Sequence, residues 1–205
     1  MNVEKQLSSA LATLGYSSDW LEWGLLSEAA LQEQITDYRA GPNTHLEHYR
    51  YAAFRKILSS RPALTDEEIT RYIALAQQDA VQAMAQAALA DLLTWARLRP
   101  EQFDRLTCHA DFAAPLFQKL ALRRRLLTDL EANSAISATA FAACLASQDA
   151  NLQRRLVSRP ELTSEQVQGL MEYGVTRAIR NMARNRQGIR SQDRAVEPAL
   201  RERGC

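Results

Sequence analysis

The sequence predicts an all-α protein, and three observations carry that prediction. The composition is helical: Ala, Leu, Gln, Glu and Arg dominate, while glycine is held to 7 and proline to 6 of 205 residues, as a chain of good helix formers requires. No stretch alternates apolar and polar residues with the period of two that a half-buried strand needs. The third observation is a repeated phrase. Residues 60–68 read SRPALTDEE and residues 158–166 read SRPELTSEQ.

The phrase reads as a corner between helices. Thr65 stands three residues before Glu68, so its hydroxyl can accept from the Glu68 N–H while the Glu68 carboxylate reaches back to the Thr65 N–H, a capping box. Leu64 just outside the cap and Ile69 inside it form a hydrophobic staple. Pro62 helps to stop the preceding helix. The second copy has Pro160, Leu162, Thr163, Gln166 and Val167 in the same roles.

The other elements follow in order. Helices are expected over 3–14, ended by Gly15; over 20–25, boxed by Asp19 and Glu22; and over 28–39, capped by Ser27 and closed by Gly41-Pro42-Asn43. Next come 45–58, boxed by Thr44 and Glu47, then 66–78 after the first corner, and 80–97 up to Arg99-Pro100. Helices over 101–108, 112–131 and 138–147 follow, with Pro100 at a first helical position, Asn133-Ser134 as a break and Ser137 as a cap. Helices over 150–157, 164–173 and 175–185 complete the series, with Gly174 between the last two. From about 187 the chain is polar without a clean period, and a mobile tail is expected.

The corner spacing recurs. A large apolar residue, another six later and a third five after that occur at Leu58/Leu64/Ile69, Leu92/Leu98/Phe103, Leu130/Ile136/Phe141 and Leu156/Leu162/Val167. A looser copy is Trp20/Leu26/Leu31. The first positions step by 38, 34, 38 and 26 residues, within the range of helical repeat arrays. Residues 151–185, NLQRRLVSRPELTSEQVQGLMEYGVTRAIRNMARN, resemble the unit of the leucine-rich-repeat variant, and residues 54–87 resemble it less closely. More broadly the chain resembles HEAT-like and armadillo-like arrays over residues 44–185. The resemblance implies an α-solenoid of about five helix-turn-helix repeats with a concave face for partners. It divides the chain into an N-terminal helical cap or divergent repeat (1–43), the array (44–186) and the tail (187–205).

The resemblance also brings two functional precedents. An iron–sulfur cluster on N-terminal cysteines, known in one leucine-rich-repeat variant, has no counterpart, because the first cysteine is Cys108. DNA glycosylases of the HEAT-like family use aromatic residues and a carboxylate in a basic groove. Trp20, Trp23 and Trp95 do not map onto that site.

Bulk properties narrow the classes further. Apolar residues make up 46% and charged residues 24%, ordinary for a globular domain or two small ones. No run of 18 apolar residues occurs, so no membrane span is expected, and the N-terminal stretch lacks the pattern of a signal peptide. Three widely spaced cysteines point to a reducing compartment, and a cytoplasmic location is expected. Net charge is +1 but unevenly placed. Residues 1–43 carry two cations against six acids, and residues 175–205 carry eight arginines against three acids.

Candidate chemistry is sparse. His45 and His48 share a helix face around Glu47, but no third ligand in a zinc-like frame accompanies them. Cys108 and Cys144 fall at or near apolar stripe positions, where cysteine packs as a small apolar residue, and no activating histidine faces them. Asp66, Glu67 and Glu68 suit the positive end of a helix dipole. No P-loop, GxGxxG or GxSxG is present.

The arginines are the best binding candidates. Arg123, Arg124 and Arg125 are followed by Arg154, Arg155, Arg159, Arg177, Arg180, Arg184 and Arg186. Arg177, Arg180 and Arg184 share a helix face, opposite a stripe of Val175, Ile179 and Met182 expected in the core. A basic ridge of Arg154, Arg155, Arg159, Arg177, Arg180 and Arg184 would suit phosphates or an acidic protein; a solvated surface is the competing reading. The expected function is therefore non-enzymatic binding of a protein partner, as an adaptor, scaffold or inhibitory protein of the immunity type. No metal and no cofactor are expected. Duplex DNA binding, with glycosylase chemistry at its furthest, is the alternative.

Overall fold

The computed structural model describes residues 3–41 and 45–188 and is all-helical, with no strand among the described residues. The helices are α1 (Val3–Leu14), α2 (Asp19–Glu22), α3 (Glu28–Ala40), α4 (Glu47–Ser60), α5 (Asp66–Gln78), α6 (Gln82–Thr94), α7 (Pro100–Cys108), α8 (Pro115–Ala132), α9 (Ala138–Ala146), α10 (Ala150–Val157) and α11 (Ser164–Tyr173), with α12 over 177–188. A single 3-10 turn, Ala110–Phe112, precedes α8. No described helix is long and apolar enough to cross a membrane. The chain divides into two compact units, Met1–Leu120 and Ala121–Cys205.

In the first unit the core is built around aromatic rings. Trp20, Phe54 and Tyr72 are buried and pack edge to face, with centroids 4.6 Å apart for Trp20 and Phe54 and 4.8 Å for Phe54 and Tyr72, a favoured arrangement of ring quadrupoles. The Tyr72 hydroxyl donates to the Ala88 carbonyl at 3.1 Å, so its polar end is satisfied in the interior.

One buried cation ties three segments of this unit. Arg50 in α4 donates through Nε and Nη2 to both oxygens of Asp79, at 2.8 and 2.9 Å, and through Nη1 to the Leu14 carbonyl at 3.0 Å. The fork matches the carboxylate, which makes such a pair viable without water. Gly15 leaves α1 at φ +73°, and a Cβ there would lie 2.8 Å from Arg50 Nη1; the left-handed backbone and the close approach both call for glycine.

The second unit has its own core of Leu126, Leu130, Cys144, Leu152, Leu156, Leu162 and Leu170, among others. Gln153 is fully buried at its centre. Its amide donates to the Cys144 and Leu145 carbonyls and accepts from the Val175 N–H at 2.8 Å. One side chain thereby satisfies the end of α9 and the turn into α12.

The two copies of the repeated phrase form the expected corners. Thr65 and Thr163 have the same backbone angles, φ −71° and ψ 164°, and each sits in a complete capping box. The staple residues Leu64, Ile69, Leu162 and Val167 are all buried. Ser27 and Ser137 cap α3 and α9 as expected.

Several expectations need correction. The Asp19–Glu22 box does not form: Ser18 already has helical angles, φ −61° and ψ −30°, so Asp19 is the first residue of α2 rather than its cap, and its carboxylate accepts instead from Gln78 Nε2 at 2.9 Å. That helix stops at Glu22, short of 25, and Gly24 follows at φ +67°. The helix expected over 80–97 spans only Gln82–Thr94. Trp95 turns out at ψ 120°, and Arg99 is held extended by the proline after it. Pro115 opens α8, which moves its start beyond 112.

On α12 the buried residues are Ile179 and Ala183; Val175 packs only partly and Met182 is 38% exposed. Met182 lies three residues from Ile179 but on the flank of the buried stripe. Cys108 is exposed, two residues beyond the buried Leu106 and turned away from it. Of the expected tail, residues 187 and 188 continue α12; 189–205, with Cys205, lie outside the described residues, as does Thr44 with its expected box. The observed residue before α4 is Leu46, without a side-chain cap.

Candidate functional site

Side chains of the corners reach backward along the chain, in both units. Gln102 occupies the third position of α7, and Gln166 the third position of α11. Gln102 Nε2 donates to the Leu64 carbonyl and Gln166 Nε2 to the Ile136 carbonyl, each at 2.9 Å. Leu64 and Ile136 hold the same place, just outside the cap, in the preceding corner of each unit. Each amide meanwhile accepts from the N–H of its own cap residue, Arg99 or Thr163, at 3.2 and 3.0 Å. An amide is the group that can do both, since it accepts at one end and donates at the other.

The arginines of the repeated phrase do the same from the other side. Arg61 Nη2 donates to the Gly24 carbonyl at 3.0 Å. Arg159 Nη2 donates to the carbonyls of Asn133 at 2.7 Å and Ser134 at 3.3 Å. Gly24 and Ser134 each stand two residues before the apolar residue of the earlier corner, Leu26 and Ile136. Where Glu68 takes the third position of α5 it cannot donate to a carbonyl, and Arg61 pairs with it. At that position of α9, Ala140 offers no polar group.

These bonds sort the arginines expected in the ridge. Arg159 fastens the α8–α9 loop and lies 3.2 Å from Glu161. Arg180 Nη1 donates to the Gly174 carbonyl, satisfying the turn before α12. Arg155 pairs with Glu131 at 2.9 Å on the surface. Arg154 and Arg184 each donate to an asparagine on their own helix, Asn151 and Asn181, at 2.8 Å. Arg177 is exposed. Arg186 Nη1 donates to the Val157 carbonyl at 2.8 Å, and with the Gln153–Val175 bond this shows α10 and α12 lying side by side in the same direction. Arg154, Arg177 and Arg184 present their charges to solvent on these two neighbouring helices; Arg159 and Arg180 spend theirs on the main chain. Of the earlier cluster, Arg123 lies 3.2 Å from Asp149, and burial holds the Arg124 guanidinium below its usual range.

Two of the clefts in the first unit gather several charged side chains. One, of about 280 Å³, lies between α5 and α7 and is lined by Asp66, Ile73, Gln102, Arg105, His109 and Asp111 among others. Its carboxylate Asp66 is paired within the cleft. Arg105 lies 2.6 Å and Arg99 3.1 Å from Asp66, and hydrogen bonds from Arg105 and then Gln102 hold the Asp66 carboxyl down to about 2. His109 Nδ1 accepts from the Asp111 N–H at 3.4 Å, and Asp111 Oδ2, 3.0 Å from the same nitrogen, is buried without a hydrogen-bond partner among the described residues.

The second cleft is a wider groove, about 690 Å³, along α4 and the end of α6. Trp95 lines it together with Arg55, Lys56 and Arg97. Asp91 is its one acid, and it accepts from the Tyr51 hydroxyl at 2.9 Å. Arg97 Nη1 donates to the Arg61 carbonyl at 2.7 Å, which fixes the guanidinium while leaving its charge unneutralised. Lys56 reaches Glu33 only at 3.9 Å, both exposed, a pair of little consequence in water. The sequence hid this groove, because Arg55 and Lys56 are forty residues from Arg97 and no local cluster marks them. Two parallel neighbours, α4 and α6, bring them together.

The other chemistry-bearing residues are accounted for locally. His45 and His48 stack at 5.4 Å, and His45 Nδ1 lies 3.1 Å from Glu47. Among the described residues no three His, Cys, Asp or Glu side chains converge as a metal site would need. Burial pushes the Cys144 thiol up to about 11, so it is held as an inert core thiol at neutral pH. Comparison with family models, curated proteins and solved structures finds no match to this chain.

Proposed function

We propose that the chain is a HEAT-like or leucine-rich-repeat-variant α-solenoid that serves as a non-enzymatic, cytoplasmic protein-binding module, an adaptor, scaffold or inhibitory protein. The observation that carries the repeat reading is the backward bond of the corner amide, made by Gln102 and again by Gln166 to the equivalent carbonyl. Equivalent bonds at equivalent places are what stacked units of one kind produce. The binding reading rests on what such arrays offer, an extended face made by every second helix. Within the first unit Arg55, Lys56 and Arg97 line a groove along α4 and the end of α6, and within the second Arg154, Arg177 and Arg184 lie exposed on α10 and α12.

Two measurements test this. Small-angle scattering separates a linear array from a globule, the array having the longer maximum dimension; a compact profile would sink the solenoid. Crosslinking in the native host, followed by mass spectrometry, should capture a partner with wild-type protein and lose it with Arg177→Glu/Arg184→Glu or Arg55→Glu/Lys56→Glu. Capture that is indifferent to both pairs would remove the second-helix face from the proposal.

A further inference from the structure

The α4/α6 groove is more specific than a generic binding face. It holds three cations against one acid, and the acid is engaged by Tyr51. Arg55 carries its charge without an ion-pair partner among the described residues. Arg97 is oriented by a neutral carbonyl, which lowers the ordering cost at that side chain when an anion arrives. Trp95, half-buried at the cap of α6, gives the groove a rigid apolar surface, and Trp and Arg are the residue types that dominate protein interfaces.

We propose that this groove docks an acidic segment of a partner protein, with carboxylates on Arg55, Lys56 and Arg97 and an apolar side chain against Trp95. The inference rests on the protein-binding reading above and names its surface and partner chemistry. Charge complementarity selects an acidic occupant. Nucleic acid fits less well. A single-strand track presents successive aromatic platforms, and here there is one. Asp91 and Glu33 also lie in or beside the groove, where a continuous phosphate backbone would be repelled and a peptide can place a neutral residue.

The test is a selection of random peptides displayed on phage against the whole protein, with affinities read by anisotropy of the selected peptides. The expected result is enrichment of peptides that combine Asp or Glu with an aromatic or aliphatic residue. Arg55→Glu/Lys56→Glu should weaken them about tenfold or more, while Arg177→Glu/Arg184→Glu leaves them unchanged. Binding should also quench tryptophan emission, and Trp95→Phe should remove that change without unfolding the protein. Selected peptides without an acidic excess, or equal binding to Arg55→Glu/Lys56→Glu, overturn the inference. Peptides that depend on Arg177 and Arg184 instead overturn the groove while leaving the binding module standing. Tighter binding of a duplex oligonucleotide than of the selected peptides, lost on Arg55→Glu/Lys56→Glu, assigns the groove to nucleic acid and likewise overturns it. Selecting no peptide at all overturns the groove; the module is judged separately by crosslinking of intact partners.

Discussion

Gln166 serves two masters with one amide, and its replacement by Glu separates them. The carboxylate can still accept from the Thr163 N–H, so the cap survives. It cannot donate to the Ile136 carbonyl, and it faces that oxygen with like charge. Gln166→Glu should therefore destabilise by about 1–3 kcal/mol, the cost of an unsatisfied buried acceptor, as read from urea unfolding. Loss no larger than that of an exposed Gln→Glu change would show that the backward bond carries no weight. Asp66 gives a prediction in pH. Its folded pKa lies near 2, below the roughly 3.9 of a free aspartate, so its contribution is complete above about pH 4 and fades as pH falls toward 2. Asp66→Asn should be less stable than wild type at neutral pH, and the two curves should converge toward pH 2; a gap independent of pH would contradict the assigned ion pairs. At this scale the sequence was only partly readable. The arginines were visible, but whether Arg159 or Arg180 meets solvent or a carbonyl depends on loops far away in the chain.

The corners are the elements most legible beforehand, because a cap, a staple and a proline act within nine residues and need no tertiary partner. Thr65, Thr163, Ser27 and Ser137 all cap as their spacing implies. The Asp19 box fails because the helix starts one residue early: Ser18 has helical angles and Asp19 lies inside α2, its carboxylate held by Gln78, 59 residues away. Thr163→Ala should cost about 1 kcal/mol through the lost cap, measured by denaturant midpoint. Gly174 closes α11 with ordinary φ of −56°, yet a Cβ there would sit 2.5 Å from the Leu170 carbonyl oxygen and 3.0 Å from Ile179 Cγ2. Gly174→Ala should therefore destabilise by about 1–3 kcal/mol through crowding rather than through backbone preference. An alanine tolerated without cost would show that α11 and α12 can slide apart.

All three tryptophans, Trp20, Trp23 and Trp95, belong to the first compact unit. Tryptophan fluorescence thus reports the unfolding of that unit, while far-UV circular dichroism reports both. With separate cores, the two probes should give urea transitions that do not coincide, and Gly174→Ala should move the dichroism curve alone. Coincident curves that shift together would show one cooperative block. The corner bonds have a consequence for the lineage of such a chain. Gln102, Gln166, Arg61 and Arg159 all grip main-chain oxygens, and every amino acid supplies one. A duplicated segment thus arrives with its own plug and finds a socket already present in whatever precedes it, with no matching mutation needed. Side chains elsewhere are then free to diverge, so copies of a common ancestor can lose nearly all likeness in their letters while keeping the same way of fitting together.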